Sequence, residues 1–170
     1  LYERTLAKGT ESKFADNSGT MLLPEAGNKY PDILDETRVE TDFFFSMQET
    51  SGENKGMVHH KMHDFKWTAL CVRPAEDPLE RIVKPVTYAA SLQAAAAWAQ
   101  SARLWEPYDA AYATKCLDAA KLAYSAAKAK YEANGSKYNS ADTYFAPIED
   151  GKGGGAYGDN YVDDEFYWAA

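Results

Sequence analysis

All three histidines of this chain fall within Gly56-Met-Val-His-His-Lys-Met-His-Asp-Phe-Lys-Trp-Thr68. Imidazole can donate or accept a hydrogen bond, and an indole offers a flat apolar face, so side by side they suit a ligand that carries both hydroxyls and C–H faces, such as a sugar. His60, His63 and Trp67 are the candidates for such contacts. The plainer alternative is that Trp67 anchors a long loop and His63 satisfies a backbone group. His59 and His60 are adjacent, so on an extended segment their side chains point oppositely and one of them is structural. A metal is a further alternative, from His59 or His60 with His63 and Asp64. Those i, i+3 and i, i+4 spacings converge only on a helix, which Gly56 and Val58 do not favour, so zinc is not expected in this segment.

A second group is acidic: Asp159, Asn160, Asp163, Asp164 and Glu165. Close carboxylates can form a general acid–base pair. Hard oxygen donors where a loop enters a helix fit calcium better, which takes about six to eight oxygens. Capping of the helix by Asn160 or Asp163, with acids complementing its dipole, is the other reading. The preceding Gly151-Lys-Gly-Gly-Gly155 run lacks the lysine–serine/threonine ending and the strand of a phosphate loop, so phosphate is not its ligand. Tyr157, just after the glycines, is a further candidate for sugar contact.

Helices must position these groups. Leu1–Leu6 reads as the last turn of a helix, and Ala7–Lys29 as loop. Tyr30-Pro31-Asp32 opens a helix to about Gln48, with Asp32, Asp35 and Glu36 at its positive end. Glu49–Lys84 has no sustained period, and connections of this length without structure are usually functional or disordered. A helix from Val86 to about Trp105, with Thr87 as cap, carries the block Ala94–Ala97; Trp98 and Trp105, seven apart, read as core. Another runs from Tyr108 to Ala133, with Leu117, Ala120, Tyr124, Ala127 and Tyr131 on one face and Lys115, Lys121, Lys128 and Lys130 on a solvated one. A last helix opens near Val162. No segment alternates convincingly as a strand, so the expected class is all-α.

Composition narrows the function. The net charge of −8 is wrong for a nucleic-acid partner. No run is apolar enough to span a membrane, and no signal peptide or initiator methionine is present. Twelve tyrosines and four tryptophans supply amphipathic rings. Cys71 and Cys116 make no Cys-x-x-Cys pattern. Cys116 reads first as a buried thiol in an alanine-rich helix, with a disulfide as the minor alternative.

Four segments together resemble glycoside hydrolase family 9, the inverting cellulases built on an (α/α)6 barrel. They are Pro31–Glu36 with Phe44–Gln48, then Gly56–Thr68, then Thr87–Leu92 with Ala99–Arg103, and finally Gly153–Asn160 with Asp163–Ala169. The likeness is strongest to members with an immunoglobulin-like domain before the barrel. It implies that residues 1–170 are an incomplete segment of a single (α/α)6 catalytic domain, truncated at both ends. The family's Asp-Ala-Gly-Asp motif, which supplies the water-activating aspartate, falls before Leu1, and its general-acid glutamate falls beyond Ala170. Inverting hydrolysis needs both carboxylates, so no catalytic residue is expected in this segment.

The resemblance further implies β-1,4 cleavage of cellulose or related glucans by a secreted, extracellular enzyme. Its partners would be cellulose or cello-oligosaccharides and the remainder of the barrel, with no nucleic acid and no membrane. The loop after the first long helix would line the cleft, through His60, His63 and Trp67, with Tyr157 joining from the second loop. A structural calcium would lie near Asp164-Glu165, among Asp159, Asn160 and Asp163. The zinc ligands of some relatives precede this segment. Two rivals stand beside this reading: a non-catalytic, calcium-stabilised carbohydrate-binding or scaffold protein, and a lyase or hydrolase of another (α/α)6 family.

Overall fold

The computed structural model describes residues 1–134 and 161–170. Its regular structure is mainly helical: α1 (Tyr2–Lys8), α2 (Asp32–Met47), α3 (Tyr88–Trp105), α4 (Ala110–Ala133) and α5 (Asp163–Ala169). Four short strands interrupt the order between α2 and α3: β1 (Val58–His59), β2 (Met62–Asp64), β3 (Arg81–Val83) and β4 (Val86–Thr87). The helix boundaries lie within two residues of those read from periodicity. The strands correct the expectation of an unstructured connection.

Two compact units divide the chain, Leu1–Ser46 with Ala97–Ala120 and Met47–Ala96 with Lys121–Ala170. In the first, aromatic rings build the core. Trp98 stacks on Phe45 with centroids 5.0 Å apart, and its indole N–H donates to the Thr41 carbonyl at 3.2 Å. Trp105 meets Tyr30 and Tyr112 edge-on at 5.1 and 5.2 Å. Both tryptophans are buried, as their spacing predicts. Arg38 holds this cluster from its rim, with its guanidinium 3.9 Å from the Tyr112 centroid and 3.3 Å from Asp109 Oδ2. Lys115, expected on a solvated face, lies 3.7 Å over the Phe45 ring.

Asp32 and Asp35 stand in the first turn of α2, as expected, and they also bind the loop before it. Asp32 is wholly buried and accepts the amides of Asn17 and Ser18 at 2.8 and 3.3 Å. Asp35 accepts the Asn28 side-chain amide at 3.0 Å. Both pin the preceding loop. Asp16 does the same from within it, accepting the amides of Gly27 and Lys29 at 2.5 and 2.7 Å.

In the second unit Met57, Val86, Tyr88, Leu92, Ala127 and Val162 form the core, with Tyr124, Tyr131 and Phe166 packed against it. The Thr87 hydroxyl accepts the Ala90 amide at 3.2 Å, the capping bond expected at the start of α3. Ala127 is buried on the predicted apolar face of α4, while Leu117 is 40% exposed. Lys130, expected in solvent, donates to Glu53 at 2.7 Å. Both cysteines are free thiols, Cys71 exposed and Cys116 buried. Burial pushes the Cys116 thiol up to about 11, so it stays protonated and inert. Among the described residues no helix is long and apolar enough to cross a membrane.

Candidate functional site

The histidine segment is one arm of an antiparallel ribbon in the second unit. Val58 and His59 pair with Thr87 and Val86, and Met62, His63 and Asp64 pair with Val83, Ile82 and Arg81. Paired residue numbers sum to the same value in both pieces, so the ladder runs in phase from residue 58 to 64. It divides opposite Pro85, which has no N–H to contribute. Even there its carbonyl accepts the His60 amide at 3.1 Å, and the Lys84 amide donates to the Lys61 carbonyl at 2.8 Å. Sequence reading missed this ribbon because charged residues break its alternation. The β-branched run Arg81-Ile-Val-Lys-Pro-Val86 was the available signal.

Constant register sets the faces. His59 and His63 share one side of the ribbon; His60, Met62 and Asp64 share the other. His60 and His63, both candidates for sugar contact, therefore belong to opposite faces. His59 is the structural member of its adjacent pair. Its Nδ1 lies 2.8 Å from the Lys84 carbonyl and its Nε2 lies 2.9 Å from Glu49 Oε1. Both nitrogens are thus occupied by neighbouring oxygens, and neither is open to a metal.

Burial, reinforced by the Lys61 charge alongside, holds His60 below the ordinary imidazole range. At neutral pH it is uncharged and can accept as well as donate. His63 donates from Nδ1 to the Asp64 carbonyl at 2.7 Å, the backbone-satisfying role raised as its alternative. That bond leaves Nε2 as the other polar atom of the ring. It is shielded from solvent and has no hydrogen-bond partner among the described residues, so a sugar hydroxyl reaches it only if the neighbouring loop shifts. Trp67, at 83% exposure, anchors nothing and presents its face to solvent, with Phe65 also exposed nearby in sequence.

Beside the ribbon lies an open cavity of about 410 Å³, lined by His63, Asp64, Thr68, Asp77 and Arg81 among others. The Thr68 hydroxyl is 3.0 Å from Asp64 Oδ2 and 2.5 Å from Asp77 Oδ2, and Arg81 Nε is 3.5 Å from Asp64 Oδ1. Hydrogen bonds from Thr68 and the Leu79 amide hold Asp77 below the usual carboxylate range. Thr68, Asp77 and Arg81 were not singled out from sequence. They come together only because the hairpin returns, which no local pattern announces.

At the other end of the chain, Asp163 and Asp164 are exposed in the first turn of α5, while Glu165 is buried at 9% exposure. The N-cap residue is Val162 and makes no side-chain capping bond, so Asp163 does not cap this helix. These are hard oxygen donors of the kind calcium takes, and a buried carboxylate favours a cationic neighbour. Tyr157, Asp159 and Asn160 lie outside the described residues.

The chain is similar along its whole length to known glycan-degrading proteins. It is 48% identical over 175 aligned residues to a cellulose 1,4-beta-cellobiosidase of Acetivibrio thermocellus, covering 100% of this chain and 18% of that protein. It is 46% identical over 170 residues to endoglucanase C of Cellulomonas fimi, covering 99% of this chain and 14% of that protein. Its fold superimposes on a metagenome-derived glycoside hydrolase family 9 endoglucanase with a TM-score of 0.75 at 36% identity, over 99% of this chain and 27% of the other. A Bacteroides ovatus family 9 structure matches with a TM-score of 0.74 at 31% identity, over 99% of this chain and 28% of the other. The architecture of these structures is the (α/α)6 barrel, and the helical order described above is part of it. The match to glycosyl hydrolase family 9 runs over residues 8–170, taking in the ribbon and the helices after α1, and the chain belongs to that family.

Proposed function

We propose that this chain forms part of the (α/α)6 catalytic domain of a β-1,4-glucanase acting by inversion on cellulose or related glucans. Residues 1–170 supply walls and loops of the substrate cleft, and the two catalytic carboxylates lie outside them. One observation carries the reading: Trp67 stands exposed in the loop that follows a ribbon arm bearing two candidate histidines, in a chain whose relatives include a cellobiosidase and an endoglucanase. An exposed indole offers a flat apolar face on which a sugar ring can stack. A glucosyl ring, with axial hydrogens on one face and hydroxyls at its edge, meets both the indole and a neutral imidazole.

His60, His63, Trp67 and Tyr157 are the proposed substrate contacts. Asp159, Asn160, Asp163, Asp164 and Glu165 are the proposed calcium ligands. Bound calcium would fix the start of α5 and supply no chemistry to bond cleavage. Cellulose is an insoluble polymer that cannot enter a cell, which supports secretion to the extracellular space.

The deciding experiment is hydrolysis of cellohexaose by the full-length polypeptide, followed by proton NMR of the fresh reducing ends. The expected product is the α-anomer. The β-anomer would exclude inversion, and no cleavage of any β-1,4-glucan would remove the reading altogether.

A further inference from the structure

The first unit carries an open, largely apolar groove of about 300 Å³ between α2 and α3. Thr41 lies beside Trp98, and Tyr30 beside Trp105, so the two helices run antiparallel. From α2 the groove takes Leu34, Thr37, Thr41 and Phe44, spaced three, four and three apart. From α3 it takes Ala97, Ser101 and Leu104, spaced four and three. Each set is a single stripe along one helix surface. Two facing stripes, one of them lined by the small side chains of Ala97 and Ser101, make a trough that a third helix can enter lengthwise. The α2 stripe covers ten residue steps, about 15 Å of helix.

α1 stands at one end of this trough. Its Glu3 carboxylate accepts from Gln100 Nε2 at 2.7 Å and from Arg103 at 3.0 Å, and the Tyr2 and Tyr108 hydroxyls are 2.9 Å apart. α1 is therefore level with the last turns of α3 and, because the pair is antiparallel, with the first turn of α2. Leu1 and Tyr2 line the groove at that end, and it continues past them toward Phe44 and Ala97. The matched family 9 endoglucanase structure is covered over only 27% of its own length, so most of such a domain is built by other residues.

We propose that the groove is the seat of the polypeptide immediately upstream of Leu1, which continues α1 backward as about ten further helical residues lying between α2 and α3. The chemistry of that occupant follows from α1 itself. Tyr2 and Thr5 are its buried face. Positions three or four and seven residues before Tyr2 share that face, so they carry apolar or small side chains. Seating them covers Thr37, which is exposed here, and completes the burial of Phe44 and Leu104.

The extension of the polypeptide beyond these residues rests on the same relatives as the proposed function, whereas the seat rests on the groove. The test uses the full-length polypeptide with Thr37→benzoylphenylalanine, a photoreactive ketone placed inside the trough. Val39→benzoylphenylalanine is the control, on the opposite side of α2 and 65% exposed. After irradiation and digestion, mass spectrometry should find the probe at position 37 joined to a peptide within about ten residues before Leu1, and the probe at position 39 not joined to it. An adduct with a segment downstream of Ala170 overturns the proposal, as does the lack of any adduct in the folded protein. A link between two copies also overturns it and makes the groove a dimer contact. Should the probe prevent folding, the wild type decides by hydrogen exchange. The amides of the ten residues before Leu1 should exchange about a hundredfold or more slowly than in an unstructured peptide; unprotected exchange there overturns the seat. Failure to cleave any β-1,4-glucan removes the proposed function and leaves both readouts standing.

Discussion

Gly56 is where the conformation of one residue decides whether the ribbon sits against its supporting helix. Its φ is +92°, a region that L side chains avoid, and a Cβ built there would meet Leu122 Cγ at 2.9 Å, Ala126 Cβ at 3.0 Å and the Leu122 carbonyl at 3.0 Å. The leucine side chain can turn aside, but the helix backbone cannot. For Gly56→Ala the backbone strain costs about 1–2 kcal/mol. Forcing a methyl against α4 costs about 1–3 kcal/mol more. The reduced freedom of the unfolded chain returns about 0.4–1 kcal/mol. The net destabilisation is about 2–4 kcal/mol.

Gly9 is the internal control, because its φ is +61° and nothing lies within 4 Å of the added carbon. Gly9→Ala therefore carries the strain less the same unfolded-state gain, about 1 kcal/mol net. Urea denaturation of both variants, followed by far-ultraviolet circular dichroism, measures the difference. The midpoint should fall further for Gly56→Ala than for Gly9→Ala with the slope unchanged. Equal midpoints would refute the reasoning, because the close approach to α4 would then contribute nothing.

Other perturbations separate binding from folding. Trp67→Ala should leave the melting temperature within about 1 °C, since the ring is mostly in water, yet weaken cello-oligosaccharide binding by about 1–2 kcal/mol, tenfold or so, by calorimetry. An unchanged affinity would make the indole a bystander. Chelation of calcium from the full-length polypeptide should lower the melting temperature by several degrees, since a ligand at about a hundred times its Kd contributes about 2.7 kcal/mol. A melting temperature indifferent to chelator and to added calcium refutes the site at α5. Burial raises the Asp35 carboxyl above its usual range, with Glu25 and Asp16 adding to the effect while Asn28 opposes it. The folded state thus holds this proton more tightly than the unfolded one, and the resulting stability is lost as pH rises through the elevated titration. Asp35→Asn should therefore raise the melting temperature at pH 7 and leave it unchanged at pH 3; a fall at pH 7 would show that the ionised form is the one the fold prefers.

How far the sequence disclosed this molecule depends on the range of the interactions involved. α3 and α4 were legible because their signals are local: a threonine cap at Thr87, tryptophans seven apart at Trp98 and Trp105, alanines that let helices close. The place of Asp32 and Asp35 in the first turn of α2 was legible, but their bonds to loop amides 7 to 15 residues earlier were not. Lys115 keeps the exposure read for it and Lys130 is only partly buried, but each finds a partner far back along the chain that no local pattern names, Phe45 and Glu53.

The ribbon is the extreme case. Each arm is too short and too polar to declare itself, and its order comes from pairing across a hairpin whose loop holds Trp67. That construction explains why the residues most suggestive of binding were visible while the machinery that aims them was not. Side-chain chemistry is written at the position that performs it. Register is a relation between two positions, and here it also decides that His60 and His63 face opposite ways. A single ligand layer on one side of the ribbon can therefore be met directly by one histidine or the other. Trp67 lies beyond both, in the loop that could reach either face, so the pair of variants His60→Ala and His63→Ala reports which side the glucan takes. One should weaken cellohexaose binding about tenfold while the other acts through stability alone. Equal losses of affinity with unchanged melting temperatures would mean that the ribbon is gripped from both faces, and the single ligand layer argued here would be wrong.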